Sequence, residues 1–253
     1  MLALASLSGV ADADWARTAA PYADLAFLGG VALDSDSRAA ARELVARGRE
    51  EFLPADPLSF VEDQLAALDD APIRTGVNVR SATVEPIREV ASICAAHGAV
   101  LELNAHCRQE ELCAVGCGET LLRETERLSR YVAAASDAGA TVSVKVRAEV
   151  DGADLPTTTR AVADAGADAI HVDAMDSEPL IADVAAASDA FVLANNGVRD
   201  RVTAWEYLAY GADGVSVGRP SDDPAVLERV ARAVMDWERR GRDGDPLDGE
   251  VPG

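Results

Sequence analysis

The sequence predicts a single-domain α/β protein, a (β/α)8 TIM barrel, on three observations. Eight short apolar runs, each the length of a buried strand, alternate with longer alanine-rich segments of helical periodicity. This alternation is typical of parallel β-α-β units, and eight such units favour a closed barrel over an open sheet. The chain has 253 residues, 49% of them hydrophobic, which suits one barrel of roughly 250 residues.

The predicted strands are apolar runs bounded by polar or glycine-containing turns. They cover residues 2–7, 24–28, 73–79, 100–104, 141–147, 169–173, 191–194 and 214–217. The predicted helices cover residues 37–49, 84–97, 119–138, 157–165, 179–187, 201–210 and 224–239. Residues 51–70 are the least regular, and we expect an extra helix there, over the barrel mouth. The barrel domain is predicted over residues 1–240, followed by a polar, flexible tail over residues 241–253.

The charge of the chain is strongly acidic. Its 44 acidic and 23 basic residues give a net charge of −21. Such a surface keeps water and cations bound in strong salt and repels nucleic acid, whose recognition needs Lys and Arg. We interpret it as a halophilic, cytoplasmic signature; an ordinary acidic enzyme is the alternative. The N-terminus lacks a basic leader region, and the four cysteines do not suggest a disulfide framework, so we expect a soluble, intracellular protein.

The chain contains a single lysine, Lys145, and it lies inside the apolar run of residues 141–147. An ammonium group on a buried strand needs a partner, because isolated charge is costly to bury. The partner is either a carboxylate in a structural ion pair or a bound ligand. We favour the ligand, since the run is placed inside the predicted barrel.

Function in a barrel is carried where the strands end, and the fourth strand ends in a distinctive motif. Residues 101–108 read LELNAHCR, and residues 115–122 read VGCGETLL. Here the chain resembles the tRNA-dihydrouridine synthases, whose fourth strand ends in Asn, two residues and then Cys, followed by a glycine-containing stretch that ends in Leu-Leu. Asn104, Cys107 and Gly118 match the Asn, the Cys and the second glycine.

The resemblance implies a catalytic role for Cys107. In the family this cysteine donates a proton to C5 of the pyrimidine while the reduced flavin delivers hydride to C6. A thiol suits that role because its ordinary pKa of about 8.5 keeps it protonated at neutral pH. Asn104 is then substrate-binding, and we place His106 and Arg147 beside it. The family has Gly-Cys-Pro where this chain has His106-Cys107-Arg108, which is a departure in the same loop.

The fifth and sixth strands match the flavin side of the family's site. Lys145 takes the place of a flavin-binding lysine, whose charge can hold the flavin O2 and offset charge at N1. The family usually has a histidine where Asp173 stands, and His171 lies two residues earlier on the same face. We assign both to cofactor binding. A carboxylate beside a flavin phosphate then requires a neutralising cation, Arg219 or Lys145.

The seventh and eighth strands end in two glycine turns that resemble the family's FMN phosphate site. The first turn contains Asn195, Asn196 and Gly197, and the second contains Gly218 and Arg219. Loops after strands 7 and 8 of a barrel often offer backbone N–H groups to a phosphate, and an arginine can grip it bidentately. These five residues are therefore predicted to bind the cofactor, FMN.

Two more cofactor contacts come from the first and third strands. Residues 5–12, ASLSGVAD, resemble the family's APMAGVTD and place Ser6 at the cofactor, while Asn78 falls where a polar side chain meets the flavin ring edge. The resemblance covers about residues 1–235, with residues 30–70 matching poorly, and is nearest to the barrel-only archaeal branch of proteins related to these synthases. The family's helical tRNA-binding domain has no room here. That and the acidic charge disfavour tRNA against a small-molecule or nucleoside-type substrate, and a homo-oligomer is compatible with the sequence.

The sequence predicts an FMN-dependent oxidoreductase acting on the C5–C6 double bond of a uracil-like pyrimidine, and three alternatives stay open. His171 and Asp173 also resemble the His-x-Asp metal ligands of ribulose-phosphate 3-epimerases, although on a different strand. Cys107, Cys113 and Cys117 with His106 would be a zinc or iron–sulfur site, but their spacing lacks a Cys-x2-Cys pair. A flavin-free, phosphate-binding barrel without redox activity is the third.

Overall fold

The computed structural model describes residues 1–243, and its strands form a closed parallel barrel. The strands follow each other around the barrel in chain order, and the last pairs with the first, with Leu2 aligned to Val215. The predicted (β/α)8 TIM barrel is therefore confirmed. The strands are β1 (Leu2–Leu4), β2 (Leu25–Ala32), β3 (Arg74–Arg80), β4 (Val100–Asn104), β5 (Thr141–Arg147), β6 (Ala169–Asp173), β7 (Phe191–Asn195) and β8 (Gly214–Val217).

Helices form the outer layer, and aspartate begins many of them. The side chains of Asp12, Asp34, Asp56, Asp154 and Asp200 each accept a hydrogen bond from a backbone N–H of the first helical turn. Across residues 1–243, no helix is both long and apolar enough to cross a bilayer. The helices are α1 (Ala13–Ala19), α2 (Ser35–Ala46), α3 (Pro57–Ala66), α4 (Glu85–Ala96), α5 (Glu110–Ala114), α6 (Glu119–Arg123), α7 (Thr125–Asp137), α8 (Leu155–Asp164), α9 (Leu180–Ala185), α10 (Arg201–Ala209) and α11 (Pro224–Asp243).

The main apolar core lies between the strands and the helices. Side chains alternate along each strand, so Val77 and Val79 of β3 join this outer core while Asn78 points to the barrel axis. The same alternation on every strand leaves a separate set of residues for the barrel interior. Position in the strand therefore decides which polar side chains reach the site.

The segment between β2 and β3 differs from the expectation. It contains α3, but α3 packs against α4 in the ordinary outer ring. The helix beside the mouth is α2, which packs against α5 in the loop after β4. The expected extra helix at residues 51–70 is therefore wrong in its position: the apolar residues Val61 and Leu65 bury themselves in the outer core and hold α3 there.

Two further boundaries were not predicted. The predicted helix of residues 119–138 is broken at Glu124, whose φ of −108° and ψ of 60° lie outside the helical region. The last helix continues to Asp243, so residues 241–243 extend it. The rest of the expected tail, residues 244–253, lies outside the described residues.

The acidic charge leads to a prediction about stability. Self-repulsion among the carboxylates at a net charge of −21 destabilises the compact state. Salt screens it, because the Debye length falls from about 10 Å at 0.1 M to about 3 Å at 1 M. We expect the melting temperature to rise with KCl across this range, as measured by circular dichroism. A melting temperature that does not change between these concentrations would refute the halophilic interpretation.

Candidate functional site

The inside of the barrel changes from apolar to polar along its axis. Its lower part is filled by Ala3, Leu25, Phe27, Val100 and Leu193, which form a cluster of their own. Above this cluster, towards the carboxyl ends of the strands, the inward-facing side chains are polar or charged, and most are buried. The barrel is therefore closed below and offers polar chemistry at its C-terminal mouth, where barrel enzymes carry their active sites.

A chain of hydrogen bonds runs through the polar part and begins at the loop after β4. The backbone N–H groups of His106 and Cys107 donate to Oδ1 of Asn104 at 3.3 and 3.0 Å. Asn104 Nδ2 donates to Asn78 Oδ1 at 2.9 Å, and Asn78 Nδ2 donates to Glu102 Oε1 at 2.7 Å. The buried Glu102 carboxylate thus supports, through two amides, the loop that carries the predicted proton donor.

The same carboxylate continues the network across the barrel. Glu102 Oε2 lies 2.6 Å from His171 Nδ1, and His171 Nε2 lies 2.7 Å from Ser216 Oγ. Asn195 Nδ2 donates to Ser216 Oγ at 2.7 Å. The network therefore connects the loop after β4 to the turn after β7, which are the predicted substrate and phosphate sides of the site.

The charge states of this network follow from its contacts. Burial alone would raise the pKa of Glu102, but the hydrogen bonds of His171 and Asn78 and the charge of Lys145 lower it below its usual range. Burial lowers the pKa of His171. Glu102 is therefore a carboxylate, and His171 is a neutral imidazole that donates from Nδ1 and accepts from Ser216 at Nε2.

Lys145 lies in the polar interior with only 3% of its surface exposed. Burial lowers its pKa, while the carboxylates of Glu102 and Asp173 oppose that shift. Among residues 1–243, no side chain or carbonyl comes close enough to form a hydrogen bond or ion pair with its ammonium group. The structural ion pair considered for Lys145 is therefore not formed, and the ammonium keeps its hydrogen-bonding capacity for another group.

Cys107 occupies a tightly shaped loop beside the mouth. It is 9% exposed and packs against Ala40 and Leu44 of α2 and Leu112 of α5. This contact explains why α2, and not α3, shapes the site.

Gly118 fixes the backbone of the same loop. Its φ is 60°, and a Cβ at this position would lie 2.0 Å from the carbonyl oxygen of Cys107. That oxygen also accepts a hydrogen bond from the N–H of Glu119 at 2.9 Å. Only glycine allows this approach, so the second glycine of the motif has a direct steric reason.

The other cysteines are packing thiols. Burial raises the pKa of Cys94 and of Cys117 to about 12, and it also raises the pKa of Cys113. Cys113 Sγ donates to the carbonyl oxygen of Cys107 at 3.5 Å. In the part of the chain that the structure describes, no three His, Cys, Asp or Glu side chains are arranged to hold a metal ion. The alternative of a zinc or iron–sulfur site therefore has no geometric support.

His106 and Asp173 meet at the mouth, although they come from different strands. His106 Nε2 lies 3.2 Å from Asp173 Oδ2, and Asn196 Nδ2 donates to Asp173 Oδ1 at 2.8 Å. Burial would raise the pKa of Asp173, but the hydrogen bonds from His106 and Asn196 and the charge of Arg147 lower it well below its usual range. The hydrogen bonds to this carboxylate therefore come from His106 and Asn196, and the nearby positive charges are those of Arg147 and Lys145.

The epimerase-like alternative also loses its geometric basis. His171 is fully buried, and both of its ring nitrogens are used within the network. It lies below Asp173 and has no lone pair left for a shared metal. His171 therefore supports the residues above it and does not face the mouth. Asn78 is also fully buried and supports the same network from below the mouth.

The turns after β7 and β8 form the remaining part of the site. Asn196 and Gly197 have φ values of 90° and 69°, and the hydroxyl of Tyr207 donates to the carbonyl oxygen of Asn196 at 2.9 Å. Among the described residues, the backbone N–H groups of Asn196, Gly197 and Gly218 have no acceptor. A Cβ at Gly218 would meet nothing within 4 Å, so this turn is open. The side chain of Arg219 is exposed beside it.

Ser6 and Arg147 lie at the rim. Ser6 is half-buried in the loop after β1, which is held to β8 by the hydrogen bond from Ala5 N to the carbonyl oxygen of Val217 at 2.9 Å. Arg147 is half-buried at the end of β5, aligned with Asp173 of β6. Both positions allow contact with a ligand in the mouth.

Sequence reasoning missed several residues of the site. Glu102 is the centre of the network, and Tyr207 holds the turn after β7. Arg80 is buried at the end of β3, where it pairs with Glu51 Oε2 at 2.6 Å and hydrogen-bonds Ser8. The period of two along a strand was the available signal, because Glu102 precedes Asn104 by two residues and Arg80 follows Asn78 by two.

The sequence also matches a protein family and an individual relative. Residues 61–242, well over half of the chain, match the family model described as dihydrouridine synthase. An uncharacterised protein of Methanocaldococcus jannaschii is 28% identical over 228 residues, covering 85% of this chain and 87% of the relative.

Solved structures share the fold at low identity. DHODH from Eimeria tenella, solved in complex with ferulenol, has a TM-score of 0.68 and 14% identity, over 98% of this chain and 83% of that one. Tryptophan synthase of M. tuberculosis has a TM-score of 0.57 and 21% identity, over 92% of each chain. FabK from Thermotoga maritima has a TM-score of 0.57 and 16% identity, over 86% of this chain and 57% of that one.

Proposed function

The chain belongs to the dihydrouridine synthase family, a family of flavin-dependent oxidoreductases, and on that premise we propose that it uses FMN to reduce or oxidise the C5–C6 double bond of a uracil-like pyrimidine. The observation that carries the proposal is Lys145. It is the only lysine of the chain, it is buried inside the mouth, and its ammonium has no protein partner among the described residues. Such a group needs an electron-rich ligand.

The ring system of a flavin fits the position of Lys145. The cation can hold the O2 edge and offset negative charge that develops at N1. The apolar cluster below the network closes the barrel, so a planar ring would rest above the polar interior. No other lysine is present to take this role.

The phosphate of FMN fits the turns after β7 and β8. The backbone N–H groups of Asn196, Gly197 and Gly218, which have no acceptor among the described residues, are suitable donors for phosphate oxygens, and Arg219 adds a bidentate donor. The carboxylate of Asp173 opposes this arrangement only weakly, because the positive charges of Arg147 and Lys145 act on it. The departure from the family's histidine is therefore compatible with a phosphate in these turns.

The substrate chemistry is assigned to the loop after β4. FMN, when bound, supplies or accepts the hydride at C6 of the pyrimidine. Cys107 holds the proton that is exchanged at C5, and its Sγ–H bond breaks as the C5–H bond forms in the reducing direction. Asn104 positions this loop through the hydrogen bonds that it accepts from two backbone N–H groups. Arg147 lies where it can bind a pyrimidine carbonyl.

We predict that the protein in molar KCl binds one FMN per chain and shows the absorbance bands of an oxidised flavin. Replacing Lys145 with methionine removes the only ammonium in the mouth and should weaken FMN binding about 10- to 100-fold, the usual range for a charge-assisted hydrogen bond. Titration calorimetry and absorbance measure both effects.

The matched control is Arg74→Met, which removes an exposed cation from the opposite end of the barrel. It should leave FMN affinity unchanged. Absence of binding heat and of bound flavin in the wild-type protein would refute the redox function and favour a phosphate-binding barrel without flavin.

We further propose a nucleoside-sized substrate in place of tRNA. A net charge of −21 opposes the many phosphate contacts that tRNA binding needs. The test compares uridine with an unmodified tRNA transcript as electron acceptors for the reduced protein. Turnover with uridine is expected if the substrate is nucleoside-sized. Turnover with the transcript alone would reverse this choice.

A further inference from the structure

Two residues that depart from the family pattern contact each other at the mouth. His106 stands on the loop after β4, directly before Cys107, and Asp173 ends β6. His106 Nε2 and Asp173 Oδ2 are 3.2 Å apart. The pair joins the substrate loop to the turn after β7, because Asn196 also donates to Asp173.

The contacts determine which nitrogen of His106 carries the proton. The pKa of Asp173 lies well below its usual range, so Asp173 is a carboxylate and can only accept. Burial lowers the pKa of His106, and although the hydrogen bond to Asp173 opposes this, the nearby charges of Lys145 and Arg147 add to it. A neutral imidazole beside a carboxylate carries its proton on Nε2. Nδ1 of His106 therefore has a free lone pair.

That lone pair has no partner. Nδ1 of His106 is buried and makes no hydrogen bond with any described residue. A buried acceptor without a donor is unfavourable, so a ligand that brings an N–H group to this position is favoured over one that does not. The side chain as a whole keeps 27% of its surface exposed, so part of the ring faces the mouth.

A neighbouring residue provides complementary donors. Arg147 on β5 is in register with Asp173, and its charge acts on His106, so it presents N–H groups at the level of the pair. An acceptor beside a donor matches an N–H group beside a carbonyl oxygen. The imide edge of uracil, with N3–H between O2 and O4, has this pattern.

We propose that His106 is a specificity-determining residue: Asp173 holds its Nε2–H, and its Nδ1 accepts a hydrogen bond from the N3–H group of a uracil-like substrate. This inference rests on the proposed pyrimidine substrate. His106 recognises the ring and transfers no proton. Asp173 is a positioning residue that acts through the tautomer of His106.

The tautomer can be measured directly, because the chain has three histidines, of which His106 is one. In protein labelled with 15N-histidine and kept in molar KCl with FMN, NMR reports the protonation of each ring nitrogen, and His106→Gln identifies the relevant signals. We expect Nε2 protonated and Nδ1 bare at pH 7, with the Nδ1 signal shifting on addition of uridine. A protonated Nδ1, or a signal that uridine does not change, overturns the proposal.

Asp173→Asn tests the coupling without a change in size. Asn196 keeps the oxygen of the new amide, so the amide N–H faces His106 and moves the imidazole proton to Nδ1. We expect the NMR tautomer to switch and uridine affinity to fall about 10-fold. Asp176→Asn is the control: it removes the same charge from an exposed residue in the same loop, whose φ of 59° suits asparagine.

The outcomes separate this inference from the proposed function. Uridine should bind the wild-type protein at least about 10-fold more tightly than N3-methyluridine, which has no N3–H to donate. Equal binding of both nucleosides, or uridine affinity unaffected by Asp173→Asn, overturns the inference while leaving a pyrimidine oxidoreductase intact. Failure of the FMN-loaded protein to bind uridine overturns the pyrimidine substrate and this inference together.

Discussion

Replacing Cys107 with alanine is expected to slow hydrogen transfer between the flavin and the pyrimidine by about 10²- to 10⁴-fold, the usual contribution of a positioned general acid. The loop should keep its shape, because Asn104 and Gly118 hold its backbone. FMN binding and flavin reduction by an artificial donor should therefore stay near the wild-type level. Stopped-flow measurement of flavin reoxidation by the pyrimidine isolates the affected step.

The other mouth thiol provides the control. Cys113 lies in the same loop and contacts the carbonyl oxygen of Cys107, but its role is packing. Cys113→Ala should leave every step unchanged, and so should Cys117→Ala apart from a modest loss of stability. Equal losses of turnover in all three variants, accompanied by loss of metal, would show a cluster and refute Cys107 as the proton donor.

Removing the carboxylate of Glu102 should give the largest loss of stability. Glu102→Leu leaves donors of His171 and Asn78 without an acceptor and removes one of the two carboxylates whose charge acts on the buried Lys145. Breaking a buried charged network in this way costs about 3–5 kcal/mol of unfolding free energy. Urea denaturation in molar KCl measures it. Glu102→Gln keeps the shape of the side chain and one acceptor, so its free energy of unfolding should fall less. This variant should remain folded even if the leucine variant does not fold.

The effect should depend on pH in a defined direction. The pKa of Glu102 is lowered in the folded state. The contribution of its carboxylate to the free energy of unfolding is therefore complete above the unfolded-state pKa of about 4.3, and it is lost as the pH falls through the lower, folded-state pKa. The stability gap between wild type and Glu102→Leu should therefore be full at pH 7 and narrow below about pH 4.3.

A matched variant controls for position in the network. Ser143 donates to Glu102 Oε2 over a long 3.4 Å, so Ser143→Ala should cost about 1 kcal/mol or less. A loss at Ser143 as large as that at Glu102 would show that packing, and not the carboxylate, stabilises this layer.

Local pattern was enough to predict most strands of the barrel. β4, β5, β6 and β8 have the predicted bounds, because a buried strand must be a short apolar run between polar turns. The order of strand ends also placed Lys145 and the two glycine turns at one mouth, since parallel strands bring their carboxyl ends to the same side.

The pairs across the barrel could not be derived in this way. His106 and Asp173 are 67 positions apart in the numbering, and Glu102 and His171 are separated by 69. Which side chains meet depends on the stagger of the strands and on the path of each loop. The position of α2 against Cys107 was missed for the same reason, because only tertiary packing decides which segment between β2 and β3 contacts the loop after β4.

The sequence by itself thus determined the barrel, the location of its mouth and the chemical types that line it, because these follow from periodicity and from parallel strand order. Which of these side chains supports the site and which faces a ligand was decided by the tertiary structure alone. It placed His171 and Asn78 in the supporting network below the mouth, left Lys145 without a partner among residues 1–243, and paired Asp173 with His106. The physical reason is that burial and hydrogen-bond partners are properties of contacts between distant strands, and those contacts set the charge and proton positions on which the chemistry depends.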